Sequence, residues 1–547
     1  MSTSSVLRMT PRIPASISAT PFDVIIIGLG INGAGIARDA AMRGLKVLVL
    51  DKGDIAGGTT SWSTRLIHGG LRYLEHAELA LVRESLRERE TLFRIAPHLV
   101  KPLPILIPIY RKAERGPLVI RAGMIAYDLL SPGKSLPRHR MLTRAQALEH
   151  APGLNQDELR AAAIYYDAQV EFAERLVVEN ALSAKEHGAT IITHARAQNI
   201  TSSPEDDSYT VSFLDTLTGE AFATRAKVIV NAAGPWADEV LRTSEHPAQR
   251  LIGGTKGSHI IVSYFAGAPS TAIYVEALSD HRPFFIIPWD GKYLIGTTDI
   301  HFKGDLDHLE IEDDEIEYLL LETNRVIPPA GLTRKEILYT YTGVRPLPYV
   351  ENESEEGITR RHFIRESPDR KGLLSIVGGK LTTFRNLSQQ TVDLIGQRLG
   401  KELPPSATAR DALPGAVAHD FRSFSEQFKR DSGLSSKASE RLLRVYGTRA
   451  MDVLYLAAGD QSLRESFDDE TEAIAAEVVF SFQQEMAETL SDCLLRRTMV
   501  GLNSSLGIGA DEKAVAIARK YLGWSESRVQ KEVAGYRTYV QRFQVRP

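Results

Sequence analysis

Three glycines near the N-terminus have the spacing of a dinucleotide-binding turn, in the segment Gly28-Leu29-Gly30-Ile31-Asn32-Gly33. The first permits a tight turn, the second lets the backbone approach a pyrophosphate, and the third lets a helix pack against a strand. The start of that helix also attracts an anion. Asp51 follows after about twenty residues, where a carboxylate accepts hydrogen bonds from ribose hydroxyls. We therefore predict that Gly28, Gly30, Gly33 and Asp51 bind a dinucleotide.

A β-α-β unit is needed to position these residues, and the sequence predicts one. Residues 22–27 form a continuous apolar run, as in a strand that is buried on both faces. A helical pattern follows over residues 34–42, and residues 46–50 resemble a second buried strand. NAD and FAD both bind such units, but a position at the start of the chain favours FAD, whose site later segments complete. The alternative is a glycine-rich turn that binds no ligand.

Three later segments are suited to completing a flavin site: residues 231–236, 294–299 and 378–383. In the first, Ala233 and Gly234 follow a strand and are small enough for a flat ligand to approach the backbone. In the third, Gly379 and Lys380 place a backbone nest and a cation at a helix start, where negative charge on a flavin ring is stabilised. Each segment alone is compatible with an ordinary tight turn, but their joint occurrence favours a flavin site.

Five separated segments resemble those of FAD-dependent glycerol-3-phosphate dehydrogenases and occur in that family's order: residues 63–76, 256–259, 295–299, 342–347 and 378–383. The resemblance extends over residues 22–540. It implies oxidation of sn-glycerol 3-phosphate to dihydroxyacetone phosphate by non-covalently bound FAD, with electrons passed to a membrane quinone. The implied α/β fold has a glutathione-reductase-like FAD-binding Rossmann domain, a mixed-sheet substrate domain and an all-α C-terminal domain.

We expect three parts in the chain: a disordered extension over residues 1–20, interleaved FAD-binding and substrate-binding domains over 21–404, and a helical cap over 405–547. Glycine and strand patterns become rare after Pro405, and amphipathic helical patterns appear at residues 435–446, 470–485 and 512–521. Earlier in the chain, four prolines predict that the segment around them is divided into short extended pieces: Pro97, Pro102, Pro104 and Pro108.

Oxidation of a secondary alcohol needs a base for the hydroxyl proton, a hydride acceptor and, for this substrate, cations that bind a phosphate. His259 is the candidate base, because imidazole titrates near the working pH. Arg345, which precedes Pro346, is the candidate for a bidentate pair with the phosphate. The alternatives are a structural histidine at a strand start and an arginine in a salt bridge.

The resemblance implies further site residues. Arg360 resembles a second phosphate contact, although the neighbouring Arg361 leaves that assignment open, and Lys380 lies near the flavin or the developing oxyanion. Arg72 and Tyr73 line the substrate pocket. Thr59, Ser63, Thr64 and His68 belong to the cofactor site, with packing an equal alternative for His68. Two residues depart from the family pattern, namely Arg65 where a lysine is usual and Trp62 where a small residue is common.

Composition excludes several classes of protein. The chain of 547 residues has 65 basic and 69 acidic residues, a formal net charge of −4, so we expect no nucleic-acid partner. A single cysteine excludes an intramolecular disulfide and a cysteine-based zinc site, and we expect no metal. Residues 1–20 lack the apolar region of a secretory signal, which favours a cytoplasmic location.

A membrane quinone nevertheless requires contact with lipid, and two segments are suited to it. Residues 101–144 have nine basic and two acidic residues, and residues 513–547 have eight and two, with apolar groups between them. Such surfaces bind anionic lipid, so we expect peripheral attachment to the inner face of the cytoplasmic membrane. The alternative is a solvated basic face. We also expect a homodimer.

Three other functions fit parts of the pattern. A soluble glycerol-3-phosphate oxidase would use oxygen and form hydrogen peroxide, but the large insertion of such oxidases is absent from the sequence. A non-catalytic flavin-binding module would bind FAD without oxidising the phosphate. An amine oxidase of the same fold accounts poorly for Arg345, Arg360 and Lys380, which together suit a dianion.

Overall fold

The computed structural model describes residues 12–75, 78–111, 115–131, 133–203, 205–244, 249–351 and 360–545. Its strands in chain order are β1 Pro21–Ile27, β2 Val47–Leu50, β3 Leu66–Ile67, β4 Val100–Tyr110, β5 Arg140–Thr143, β6 Leu159–Val170, β7 Thr190–Ile192, β8 Ala195–Ser203, β9 Ser208–Asp215, β10 Ala221–Asn231, β11 Thr255–Val262, β12 Ala272–Glu276, β13 Pro283–Trp289, β14 Lys292–Gly296, β15 Ile300–His301, β16 Ile337–Arg345, β17 Phe363–Ser367, β18 Arg370–Val377, β19 Ser466–Asp468 and β20 Ala473–Ile474.

The helices in chain order are α1 Ile31–Met42, α2 Arg72–Glu75, α3 Leu79–Ile95, α4 Pro117–Leu129, α5 Arg144–His150, α6 Ala173–Glu186, α7 Ala237–Arg242, α8 Asp313–Val326, α9 Phe384–Leu399, α10 Phe421–Asp431, α11 Ser436–Tyr446, α12 Ala450–Leu456, α13 Ala475–Gln484, α14 Leu490–Asp492, α15 Ala510–Leu522 and α16 Glu526–Val540. A π-helical turn, Cys493–Arg497, continues α14.

The first sheet carries the glycine turn. Its strand order is β17-β18-β10-β1-β2-β7, with the β8–β9 hairpin paired to β10. β1 is parallel to β2 and to β10, and β10 is parallel to β18. Val24 and Ile26 of β1 pack in one apolar cluster with α1, α6 and α9, whereas Ile25 and Ile27 pack in another with the β8–β9 hairpin. This buried parallel sheet confirms the predicted Rossmann domain, and ligands bind such sheets at the carboxyl ends of the strands.

The second sheet is mixed, as predicted. Its order is β15-β11-β14-β13-β12-β4-β6-β3, with β16 added at β11 and β5 at β6. The pair β12–β4 is parallel, and β11 lies antiparallel between β14 and β16. Apolar residues on the two faces of this sheet belong to separate clusters, one shared with α8 and the other with the C-terminal helices. The sheet therefore connects the N-terminal and C-terminal parts of the chain.

The prolines around residue 100 do not divide the chain as we expected. Pro102, Pro104 and Pro108 all lie within the single eleven-residue strand β4, which pairs with β6 along its whole length. Alternate residues of a strand point their backbone nitrogens to the same edge. The three prolines all have even numbers, so the N–H groups that they lack are missing from one edge of β4 only. Its second neighbour, β12, pairs with β4 only at Ile105 and Leu106. The prolines lie outside this short pairing and are therefore tolerated.

The C-terminal part is helical but not entirely so. We predicted one helix over residues 470–485, but β20, which pairs with β19, occupies Ala473–Ile474, and the helix α13 begins only at Ala475. Buried charges connect this part to the segment after β2: the Asp54 carboxylate accepts hydrogen bonds from Arg497 at 2.8 and 2.9 Å and from Arg496 at 2.6 Å. The boundary at residue 405 stays a prediction.

The described part of the N-terminal extension is packed, contrary to the disorder that we expected. Ile17 is buried in the cluster of the first sheet, and Arg12 pairs with Asp215 and donates to the carbonyl of Thr193. The expectation for residues 1–11 lies outside the described residues. Within the described ranges, no helix combines the length and the apolar character needed to cross a bilayer.

Candidate active site

The glycine turn has the geometry of a pyrophosphate cradle. A Cβ added to Gly33 would lie 1.9 Å from the carbonyl oxygen of Gly28, and one added to Gly28 would lie 2.6 Å from that of Ala232. Both positions therefore need glycine for close packing. Gly30 precedes α1 without a side-chain cap, and the nearest atom to a Cβ there is the Thr60 Oγ1 at 3.5 Å. The backbone at Gly30 and the helix start are thus left accessible to an anion.

Asp51 is held beside this turn by two backbone amides. Its Oδ2 accepts a hydrogen bond from the amide of Leu29 at 2.5 Å, and its Oδ1 accepts one from Gly53 at 2.8 Å. Burial raises the pKa of this carboxyl group, and the two amides oppose the effect. A carboxylate has further lone pairs for ribose hydroxyls, so the position fits the predicted role.

The segments predicted to complete the cofactor site converge on the same edge of the sheet. β10 pairs with β1 up to Asn231, which places Ala233 and Gly234 next to Gly28. Gly379, with a φ of 104°, lies against Asn32, whose Nδ2 would be 2.9 Å from an added Cβ. Asn32 Oδ1 is buried and has no hydrogen-bond partner among the described residues. A buried amide oxygen without a hydrogen-bond partner, next to glycines that leave room for a ligand, fits a bound dinucleotide such as FAD.

The segment over residues 59–64 is hydrogen-bonded to β16 of the second sheet and to the start of α1. Thr59 Oγ1 donates to the carbonyl of Val344 at 2.6 Å, and the carbonyl of Ser63 accepts from the Tyr341 hydroxyl at 3.0 Å. The sequence did not single out Thr60, whose Oγ1 accepts from the amide of Ile31 at the start of α1. That Thr59, Ser63 and Thr64 contact the cofactor stays a prediction.

His259 lies in the middle of β11, opposite Gly296 of β14 and Tyr341 of β16. Its Nε2 is 3.0 Å from Thr64 Oγ1, whereas its buried Nδ1 has no hydrogen-bond partner among the described residues. Burial, assisted by the charges of Arg345 and Arg65, holds the imidazole pKa well below its ordinary value. The ring is therefore neutral at physiological pH, with one nitrogen uncommitted, as a proton acceptor requires.

Arg345 ends β16 and is held by several acceptors. Its Nη1 is 2.9 Å from Asp299 Oδ1, and its Nη2 donates to Thr297 Oγ1 at 3.1 Å and to the carbonyl of Thr298 at 3.3 Å. Arg360 Nη2 is 3.0 Å from the second oxygen of Asp299, while its Nη1 is buried and has no partner among the described residues. The structure thus brings both predicted phosphate ligands onto one carboxylate that the sequence reasoning had given no role.

Lys380 supplies a second uncommitted cation. Its Nζ lies 3.6 Å from the centre of the Tyr73 ring and has no hydrogen-bond partner in the described part of the chain. Burial lowers its pKa from 10.5 to about 7; Glu78 and Glu84 oppose this effect and Arg360 adds to it. A buried amine without an acceptor is unfavourable, and an anionic ligand would satisfy it.

His68, a further predicted residue, lies close to Lys380 in the fold. The amide of His68 donates to Thr382 Oγ1 at 3.1 Å, and burial, with the charge of Lys380, lowers the His68 pKa to about 3. Arg72 begins α2, but its side chain lies outside the described residues. Whether His68 contacts the flavin stays a prediction.

The two departures from the family pattern have packing roles. Arg65 is fully buried, forms two hydrogen bonds of 2.7 Å with Glu174 and lies over the Trp289 ring at 4.6 Å. Trp62 packs on the rings of Tyr341 and Phe543, and a Cβ at Gly343 would lie 3.0 Å from it. Both side chains support the segment that carries Thr64.

Known proteins resemble this chain over nearly its whole length. Residues 23–385 match the family described as FAD dependent oxidoreductase, and residues 406–529 match the C-terminal domain of alpha-glycerophosphate oxidase. A glycerol-3-phosphate dehydrogenase of Synechocystis sp. is 44% identical over 537 residues, 96% of this chain and 97% of the relative. An aerobic glycerol-3-phosphate dehydrogenase of Staphylococcus haemolyticus is 33% identical over 489 residues, 87% of this chain and 86% of the relative.

An X-ray structure of a glycerol-3-phosphate dehydrogenase from Bacillus halodurans, complexed with FAD, superposes with a TM-score of 0.79 and 27% identity over 97% of this chain and 98% of that one. The two family matches divide the chain where its helical part begins, and the Synechocystis relative covers both parts. The predicted cofactor and fold class are confirmed, and the chain belongs to the FAD-dependent glycerol-3-phosphate dehydrogenase family.

Proposed function

We propose that this protein oxidises sn-glycerol 3-phosphate to dihydroxyacetone phosphate, with FAD as the hydride acceptor and a membrane quinone as the final electron acceptor. The observation that carries the proposal is the pair of uncommitted buried cationic groups, Arg360 Nη1 and Lys380 Nζ, in one site with a neutral histidine. The names of the Synechocystis and Bacillus relatives support the substrate.

The residues divide the chemistry between a dianion site and a proton acceptor. Arg345, Arg360 and Lys380 form the cationic side of the phosphate site, and Arg72 and Tyr73 line the pocket around the glycerol moiety. His259 Nδ1 accepts the proton of the C2 hydroxyl in the tautomer in which Nε2–H donates to Thr64 Oγ1. FAD, when bound, supplies the acceptor for the hydride that leaves C2. Since His259 is neutral before the reaction, no proton has to be lost first.

A spectrum of the holoenzyme tests cofactor and substrate together. Anaerobic glycerol 3-phosphate should bleach the visible flavin absorbance, whereas glycerol at the same concentration should bleach it far more slowly and glycine should leave it unchanged. His259→Gln should retain FAD and lower the rate of bleaching by about 10²–10⁴-fold. A flavin that glycine reduces and glycerol 3-phosphate does not would contradict the proposal in favour of an amine oxidase.

Helix α4 carries the proposal of a lipid-bound protein. Its large apolar side chains Leu118 and Leu129 are 81% and 76% exposed, and Val119 and Ile125 are exposed as well. Basic residues on both sides of α4 belong to the basic segment over residues 101–144. In contrast, the described residues from 513 onward have no large apolar side chain among the exposed ones. Exposed apolar groups beside cations are typical of helices that lie in the interface of an anionic bilayer.

The opposite face of α4 is joined to the active site. The Tyr127 hydroxyl accepts a hydrogen bond from the amide of Gly69 at 2.9 Å and donates one to Asp167 at 2.7 Å. Gly69 directly follows His68, so one helix contacts the solvent on its outer face and the segment of the predicted cofactor site on its inner face. A quinone dissolved in the bilayer would reach the protein at this end, on the cytoplasmic side of the membrane.

Vesicle sedimentation tests this face. Leu118→Ser combined with Leu129→Ser should weaken binding to anionic vesicles at least tenfold, because each buried leucine contributes roughly 1.5–3 kcal/mol. Leu278→Ser combined with Val417→Ser is the matched control, since these side chains are 69% and 68% exposed elsewhere. Equal binding of both double variants would remove α4 from the lipid contact.

The electron acceptor is tested by reoxidation of the reduced holoenzyme in a stopped-flow instrument. A short-chain quinone should accelerate reoxidation well beyond the rate in air-saturated buffer. Fast reaction with oxygen and no gain from quinone would instead support the soluble oxidase, which the name of the C-terminal family model also suggests. A homodimer stays a prediction, and light scattering of the detergent-solubilised protein tests it.

A further inference from the structure

Asp299 is a single carboxylate shared by two arginines. It follows β14. Its Oδ1 accepts a hydrogen bond from Arg345 at 2.9 Å and its Oδ2 accepts one from Arg360 at 3.0 Å, and the side chain of Thr255 is a further hydrogen-bond partner. Its own backbone carbonyl accepts a hydrogen bond from Arg282. Burial would raise the pKa of Asp299, but the two guanidinium groups together hold it below its usual value. The group is therefore an anion at any physiological pH.

The two arginines are not equivalent in this arrangement. Both terminal nitrogens of Arg345 donate to acceptors of the protein, and a Cβ at Gly257 would lie only 2.4 Å from its Nη2, so the guanidinium plane has little room to move. Arg360 keeps its buried Nη1 without a partner among the described residues. The charge of Arg360 also contributes to the lowered pKa of Lys380, so the two cationic groups lie near each other.

Two guanidinium groups this close repel each other, and each lowers the tendency of the other to stay charged. A carboxylate between them offsets this repulsion and fixes both guanidinium planes, because its oxygens are acceptors on two sides. It also neutralises one of the two charges. The site then presents less positive charge to an anionic ligand. This arrangement favours binding only if the orientation of the remaining donors contributes more than the lost charge.

We propose that Asp299 is a positioning residue that joins Arg345 and Arg360 into one unit and aims Arg360 Nη1 at the phosphate of the substrate. In this unit Arg345 fixes the position of Asp299, and Arg360 donates directly to the phosphate. The assignment rests on the proposed function, because it takes the ligand to be a phosphate dianion. It differs from the sequence-based expectation, which gave the bidentate contact to Arg345.

Asp299→Asn tests the arrangement while keeping the shape of the side chain. Asparagine has one acceptor oxygen, and its NH₂ group would face the N–H groups of one arginine, so only one of the two can stay bound. We expect the KM for glycerol 3-phosphate to rise at least about tenfold, with kcat within about threefold of wild type. The dissociation constant of sulfate, a dianion that does not react, should rise in parallel.

Two comparisons separate positioning from a general structural role. Oxidation of glycerol, which has no phosphate, should keep its kcat/KM within about threefold in Asp299→Asn. Asp305→Asn removes one exposed charge from the following loop and should behave as wild type. An equal loss for glycerol and glycerol 3-phosphate would overturn the proposal, and so would tighter sulfate binding, which would make Asp299 a competing anion only.

Failure of the proposed function and failure of the role given to Asp299 lead to different results. If the wild-type protein does not oxidise glycerol 3-phosphate, the proposed function fails, and the sulfate affinities of wild type and variant alone decide the role of Asp299. If Asp299→Asn does not retain FAD, Arg360→Gln takes its place. That variant should weaken sulfate binding at least about tenfold, and wild-type affinity would overturn the role of Arg360 as donor.

Discussion

Replacing Lys380 with methionine tests whether the buried amine provides a proton-dependent part of the dianion site. The pKa of Lys380 is lowered from 10.5 to about 7, which corresponds to about 5 kcal/mol against the ammonium form in the empty site. The charged groups that face the amine are Glu78, Glu84, Arg360 and Asp167. A bound dianion favours the ammonium form, so binding at alkaline pH must be accompanied by uptake of a proton.

The expected result is a pH profile of affinity. Between about pH 7 and pH 9 the wild-type dissociation constant of sulfate should rise by up to tenfold per pH unit, since one proton is taken up on binding. Lys380→Met should bind sulfate roughly ten- to a hundredfold more weakly at pH 7, from the loss of about 1.5–3 kcal/mol, and its profile should be flat. Equilibrium dialysis of labelled sulfate against the FAD-loaded protein measures both.

Lys380 also makes the free energy of unfolding depend on pH. Because its native pKa of about 7 lies below the 10.5 of the unfolded chain, the unfolded state binds the additional proton between these values. The free energy of unfolding of the ligand-free protein therefore rises with pH across this window, and Lys380→Met removes that rise. A wild-type affinity that does not change with pH, or a methionine variant with the wild-type slope, would refute the reasoning.

Three other substitutions test the scaffold of the site. Thr64→Val removes the hydroxyl that holds His259 and should lower kcat roughly three- to tenfold at unchanged KM, as steady-state kinetics will show; wild-type kcat would contradict this role. Gly33→Ala places a Cβ 1.9 Å from a carbonyl oxygen of the same turn and should abolish FAD retention, measured as the flavin-to-protein absorbance ratio. Asp54→Asn removes the carboxylate bound by Arg497 and one of the two bound by Arg496, and should destabilise the protein by about 3–5 kcal/mol, visible as a lower melting temperature in calorimetry. A melting temperature equal to that of wild type would show that the pair is compensated elsewhere.

The sequence predicts the cofactor half of the site well because that half depends on local rules. Glycine spacing, a buried strand and an acid at the next strand end are contained in residues 22–51, and the structure builds them as expected. The sheet that carries them follows from continuous apolar runs. The substrate half depends instead on β11, β14 and β16, whose antiparallel register is fixed by contacts between distant residues.

Asp299 shows why the substrate half was less predictable. It stands in a segment that the sequence singles out, yet an aspartate at a strand end gives no indication of which cations will surround it. Arg345 and Arg360 reach it from 46 and 61 residues away in the chain. Likewise, a basic and apolar composition identifies two segments as lipid-binding candidates, but only burial distinguishes the exposed leucines of α4 from the packed C-terminal helices.

The buried charges at Asp54 have a consequence for modularity. Arg496 and Arg497 lie on the π-helical turn far from Asp54 in the chain, and Arg175 of α6 is paired in the same way with Glu485. A fragment ending near residue 404 would expose its apolar surface and also retain an unpaired carboxylate and guanidinium in its interior. The C-terminal helices are therefore not an independent folding unit. We expect a chimera between two relatives to fold only when both partners of each ion pair are present in it.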